Sequence, residues 1–266
     1  QLSTEVPMLP KDFPEGLNKE KTTTSVTVSL SEEETQVLLQ KLPSLYKTQI
    51  NDVLLTALAE AVHDWIGERT LLVNMEGHGR EDLFEDVDLT RTVGWFTSMY
   101  PVLLDTRGSS SPFDSLKRIK EQLQQIPNKG VGYGILRYLN KEIGAKLAAL
   151  PQAEISFNYM GQLDQSVSGE SFLGFASESH GRSMGEKAER SHLIDLGCSV
   201  TGGQLHISAS FSSTVYKQET MEALVNRFRD ALHVMIEQVQ TEEEVAASAA
   251  EDLAEFGWDA DDIAEL

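Results

Sequence analysis

A carboxylate placed where an apolar strand gives way to glycine is a candidate proton carrier, and this sequence has one. Glu76 follows the run TLLVNM (70–75) and precedes Gly77-His78-Gly79, so its side chain is expected at a strand end with little bulk beside it. There it would lose hydration and gain basicity, because burial raises the pKa of a glutamate. The same spacing also fits an ion pair from Glu76 to Arg80 or Arg91 that holds a loop, and the residues alone leave both readings open. His78, between two glycines, is by type a proton carrier or a metal ligand. No second histidine lies at ligand spacing and no H-E-x-x-H occurs, so no metal site is expected.

Other chemistries lack their parts. A serine hydrolase would need a G-x-S-x-G elbow, which is absent. Gly130-x-Gly132-x-Gly134 follows a helix end rather than a strand and has no lysine-serine pair, so it reads as a turn and not a phosphate loop. The segment from Arg91 to Pro101 is rich in aromatics, which suits either core packing or a channel wall. Cys198, the single cysteine, lies in the alternating stretch LIDLGCSV and is expected to be a buried, inert thiol, in keeping with a reducing cytoplasm.

Those residues need elements to hold them. KTTTSVTVSL (21–30) reads as a strand, and S-E-E-E from Ser31 supplies a capping box with Glu34 for a short helix to about Leu42. Apolar residues from Ile50 to Trp65 recur at helical spacing, and Gly67 stops that helix. Strands are expected over 70–77, 95–105 and 153–161, the second with Pro101 at a bulge or sheet edge. A helix from about Pro112 to Gln125 is followed by a glycine turn over 128–134 and a helix beginning with ILRYLNKEI. GESFLGFASES (169–179) reads as a strand fragment and HGRSMGEKAERS (180–191) as a mobile loop. Two strands flanking Gly202-Gly203 form a hairpin, and a helix over about 218–239 closes the unit. Mixed hairpin and crossover connections predict an α/β fold, a two-layer sandwich on a mixed β-sheet.

Composition sets the outer bounds. Hydrophobic residues make up 40% of the chain, and 19 glycines bring the apolar share to that of folded domains. The formal net charge of −20 disfavours nucleic acid and anionic membranes as partners, and no apolar run approaches the roughly 18 residues of a membrane span. Half of that charge sits in the tail, residues 241–266, which has no Lys or Arg. The chain therefore divides into an irregular arm (1–20), a folded lobe (21–240) and an acidic linker tail (241–266).

The order of the short motifs narrows the field further. NDVLLTAL (51–58), EGHGRE (76–81), RTVGWFTSMYPV (91–102), PNKGVGYG (127–134) and FNYMGQ (157–162) resemble the successive signature motifs of epimerization domains of non-ribosomal peptide synthetases. The resemblance covers about 21–240, and EGHGRE and VGWFTxxYPV favour epimerization over the related condensation domains. It implies one lobe of a chloramphenicol-acetyltransferase-like fold. It also implies an isomerase that interconverts L and D aminoacyl or peptidyl thioesters. The substrate would be carried on the phosphopantetheine of a peptidyl carrier protein domain, with no cofactor bound directly. On that resemblance Glu76 is catalytic, Asn158 and Tyr159 lie at the site, and His78, Arg80, Trp95, Phe96, Tyr100 and Tyr133 shape the substrate channel. The family's paired-histidine motif, His-His-x-x-x-Asp, has no counterpart in this sequence. These residues are thus expected to be the C-terminal lobe, inactive without an N-terminal lobe and entered through the inter-lobe linker. A condensation domain and a non-catalytic recruitment domain are the alternatives.

Overall fold

Alternating Thr and Val makes β1 (Thr23–Ser29), and in the computed structural model it is one strand of a single six-stranded sheet. The structure describes residues 6–81, 83–163, 178, 181 and 183–255, with 242–255 as backbone alone. The expected strand fragment over 169–179, apart from residue 178, and part of the loop after it lie outside the described residues.

Ser31 and Glu34 form the expected capping box at the start of α1 (Glu32–Gln36). The helix does not stop near Leu42. It widens into a π turn (Val37–Lys41), in which the Leu42 N–H reaches the Val37 carbonyl, and continues as α2 (Leu42–Tyr46). The wide turn immediately precedes Pro43, whose ring and missing N–H oppose a regular turn at that point. Helix α3 (Ile50–Ile66) is apolar almost all round, which is why it lies buried, and Gly67 ends it at φ +78°.

Strand β2 (Thr70–Gly77) pairs antiparallel with β3 (Ser98–Asp105) and parallel with β4 (Ile155–Gln162). Between β3 and β4 come α4 (Pro112–Gln124), a short 3-10 turn, α5 (Gly132–Leu139) and α6 (Lys141–Ala148). The β5 (Ile194–Thr201) and β6 (Gln204–Ser212) hairpin turns at Gly202-Gly203, both at positive φ, as expected. Helix α7 (Gln218–Glu255) closes the unit. The sheet order is β1-β6-β5-β4-β2-β3, so β3 with its Pro101 is an edge strand, where a proline is tolerated.

Further sequence expectations need correction. The strand expected over 95–105 begins at Ser98, because the carbonyls of Thr92 and Gly94 accept from the Arg80 guanidinium and Phe96 packs beneath it instead of entering the ladder. The glycine turn ends at Gly130, and Gly132 and Gly134 lie inside α5. The closing helix runs to Glu255 rather than about 239, since no Gly or Pro interrupts 218–255 and the segment after Thr241 is rich in Ala and Glu.

The layers follow from strand alternation. Leu71, Val73 and Met75, with Ile155, Phe157, Leu196, Ile207 and Phe211, face α3, α4 and α7 in one continuous core. Cys198 is fully buried there, and burial pushes its thiol pKa far up, as expected of an inert sulfhydryl. The opposite face carries polar residues such as Asn74 and Glu76 and is partly open, with α5 facing it across a cavity. Residues 6–20 are irregular but docked: Leu9 is buried and donates its N–H to Glu154, and Phe13 donates to the Val215 carbonyl.

Candidate active site

Register places the candidate residues on that open face. Asn74, Ser156, Asp195 and Ser210 stand side by side on four neighbouring strands. Two residues further along β2, Glu76 lies on the same face, beside Asn158 of β4. The Asn158 amide nitrogen donates to Glu76 Oε2 at 2.9 Å. Glu76 is half-buried, and burial raises its carboxyl above the ordinary range. The negative charge of Asp195 adds to that rise, and His192 opposes it. The loop-holding ion pair left open by the sequence is not made by Arg80. Its guanidinium donates to the carbonyls of Leu89, Thr92 and Gly94 and stacks 4.5 Å over the Phe96 ring.

Two cavities meet at Glu76. One, of about 980 Å3, opens on the bare face of the sheet and is lined by Glu76, Trp95, Phe96, Tyr133 and His192 among others. The other, of about 540 Å3, lies at the strand ends and includes Glu76, His78, Tyr100, Asn158 and Tyr159. The long excursion over 78–97, with no helix or strand among its described residues, forms part of both walls. Loops of that length inside a compact unit are usually functional.

The aromatics divide between the two roles the sequence left open. Tyr100 is buried in the core, while Trp95 is 90% exposed and packs no core at all. Tyr133 is partly buried against the first cavity, and its hydroxyl pKa is raised by that burial. Asn158 and Tyr159 point to opposite sides of β4, so only the amide touches Glu76. Tyr159 instead borders the second cavity beside the core, and burial raises its pKa. His78 is exposed at the rim, with Nε2 3.1 Å from Glu81 and Nδ1 accepting the Arg80 N–H. Arg80 lies outside both linings and acts as the staple of the loop.

Glycine appears where two of these segments press together. A Cβ on Gly130 would sit 2.2 Å from the Tyr100 ring, and one on Gly79 would sit 1.6 Å from the Phe96 carbonyl oxygen. Both glycines have positive φ, so the EGHGRE and PNKGVGYG motifs owe these positions to close approach as well as to turning.

The sequence reading missed the group behind Glu76. Arg190, expected in a mobile loop, is buried, and its guanidinium binds Asp195 at 2.6 Å, Thr23 and Ser210. His192 is also buried, with Nδ1 3.4 Å from Asp195 and Nε2 2.8 Å from the Asn74 amide nitrogen. Although burial opposes it, hydrogen bonds from His192 and Ser156 and the Arg190 charge hold the Asp195 carboxyl below its usual range. The available signal was the pair of polar residues, Asn74 and Asp195, inside otherwise apolar strand runs. Among the described residues, no group of three or more His, Cys, Asp or Glu is placed to hold a metal, and no helix is long and apolar enough to cross a membrane.

A family model described as Condensation domain matches residues 1–252. The chain is 57% identical over 269 residues to a linear gramicidin synthase of Brevibacillus parabrevis, covering all of this chain and 4% of that protein. Bacitracin synthase 2 of Bacillus licheniformis is 39% identical, with 97% of this chain and 10% of the relative aligned. Among solved structures, the epimerization domain from the third module of tyrocidine synthetase B matches with a TM-score of 0.81 at 37% identity, over 90% of this chain and 53% of that one. A cyclization-docking bidomain from Sorangium cellulosum shares the fold, with a TM-score of 0.60 at 18% identity. This chain therefore spans a small part of the synthetases it matches and about half of the solved epimerization domain.

Proposed function

The chain belongs to the condensation-domain family, and from that premise we propose that it is the C-terminal lobe (21–240) of an epimerization domain in a non-ribosomal peptide synthetase. The observation that carries this reading is Glu76, a carboxyl of raised basicity, oriented by Asn158, at the junction of two cavities. The 37% identity to a solved epimerization domain supports it.

The substrate is an L- or D-aminoacyl or peptidyl thioester on the phosphopantetheine arm of a peptidyl carrier domain. The thioester acidifies the Cα–H, and the Glu76 carboxylate takes that proton to give an enolate-like intermediate, leaving the C–S bond intact. Delivery of a proton to the opposite face of the planar carbon inverts the centre, and return from Glu76 restores it. Asn158 holds the carboxylate toward the cavity. Trp95, Phe96 and Tyr133 shape one wall, and His78, Tyr100 and Tyr159 the other. The second proton carrier belongs to the paired-histidine motif of the N-terminal lobe, so this lobe alone lacks half of the acid-base pair. Residues 1–20 serve as the inter-lobe linker and 241–266 as the acidic connector beyond the lobe. The buried lone thiol suits a reducing, cytoplasmic setting.

The reading is tested by loading a carrier domain with the L or the D aminoacyl group and following the enantiomer ratio. The complete two-lobed domain is expected to bring both loads to one L/D mixture, and the 266-residue chain to leave each unchanged. Turnover by the chain alone would overturn the half-site assignment. An amide product with unchanged stereochemistry would instead identify a condensation domain.

A further inference from the structure

We propose that His192, clamped between Asp195 and Asn74 on the open face of the sheet, is a positioning residue that sets the charge environment in which Glu76 exchanges its proton. The inference rests on the reading of Glu76 as the Cα base, and names a residue that the motifs do not include.

The geometry is a relay of fixed contacts. Arg190 is buried and bound to Asp195, Asp195 faces His192 Nδ1, and His192 Nε2 faces the Asn74 amide nitrogen. Nδ1 is placed to donate to the Asp195 carboxylate. The ring is held from behind as well, because Asn18 of the N-terminal arm donates to the His192 carbonyl at 2.8 Å. His192 and Glu76 line the same cavity, and Asn74 precedes Glu76 by two residues on the same face of β2.

In this arrangement the Asp195 charge is shared between Arg190 and the imidazole, and what remains falls on Glu76. Facing Glu76 across the first cavity are Arg137, Tyr133 and Tyr138 of α5. Around the second cavity are His78, Glu81, Lys129, Tyr100 and Tyr159. Of all these groups, Asp195 and His192 are the ones that move the Glu76 carboxyl, in opposite directions.

The experiment measures the pH dependence of Cα deuterium exchange by the complete domain on its loaded carrier, for the natural protein, His192→Gln, Asp195→Asn and Glu76→Gln. In His192→Gln the Asp195 charge is less shielded, so the acid limb is expected to move up by ~0.5 pH unit or more, with KM for the carrier within about twofold. Asp195→Asn, where it folds, is expected to move the limb down. An unshifted limb in His192→Gln, with or without a lower rate, would overturn the proposal, since a purely structural role lowers the rate and leaves the profile in place. Exchange that survives in Glu76→Gln would remove the underlying reading and this proposal with it. Loss of exchange there beside an unshifted His192→Gln profile would remove this proposal alone.

Discussion

The energetics of Glu76 explain why its placement costs the fold something. A carboxyl whose pKa is raised by folding binds its proton more tightly in the native than in the unfolded chain. Its contribution to stability is therefore best below the unfolded pKa and declines as pH rises through the native one. Glu76→Gln, an uncharged mimic that can still accept from Asn158, is expected to melt no lower than the natural chain at pH 7, and to lose that advantage at pH 3, where Glu76 is protonated in both states. A lower melting temperature at pH 7 would mean that the carboxylate is stabilised by its surroundings rather than strained by them. Glu76 was legible in the sequence because a charged residue ended an apolar run. The partners of Asp195 were not, because Arg190 and His192 meet it only through the loop before β5 and the cross-strand row from Asn74 to Ser210. A contact that depends on sheet order leaves no local spacing to read.

At the scale of elements, periodicity fixed most of the architecture. The helix over 50–66, the edge position of β3, the Gly202-Gly203 hairpin and the capping box at Ser31 all follow from local patterns that tertiary structure did not override. The misplacements share a cause, which is a long-range partner or the lack of a breaker. Arg80 draws 92–96 out of β3, and α7 continues because nothing in 240–255 stops it. The 3-10 turn (Pro127–Gly130) is sensitive to a single atom. It holds Asn128 and Lys129 at positive φ and brings Gly130 against Tyr100. Gly130→Ala combines a left-handed backbone with an overpacked ring, so reversible urea unfolding is expected to show a loss of about 2–4 kcal/mol. A loss of only about 1 kcal/mol would show that Tyr100 relaxes freely and that the glycine is there for turning alone.

On the scale of the whole molecule, one face of the sheet is covered by α3, α4 and α7, and the other carries the candidate site. Val93, Trp95, Tyr138 and Leu139 are each more than 75% exposed, and Trp95 and Tyr138 line the larger cavity. We read this rim, together with the missing paired histidines, as the surface on which the N-terminal lobe completes the substrate channel. On that reading the strand-end carboxylate is one half of a two-faced acid-base site, and half of the −20 charge lies in residues 1–240 and half in the acidic tail over 241–266. The most direct test is Cα deuterium exchange in heavy water, using a carrier-bound aminoacyl thioester and the complete domain with either Glu76 or Glu76→Gln. Exchange without bond formation in the natural protein, falling by about 10²–10⁴-fold in the variant, is the expected result. Undiminished exchange in Glu76→Gln would contradict the assignment of Glu76 as the base.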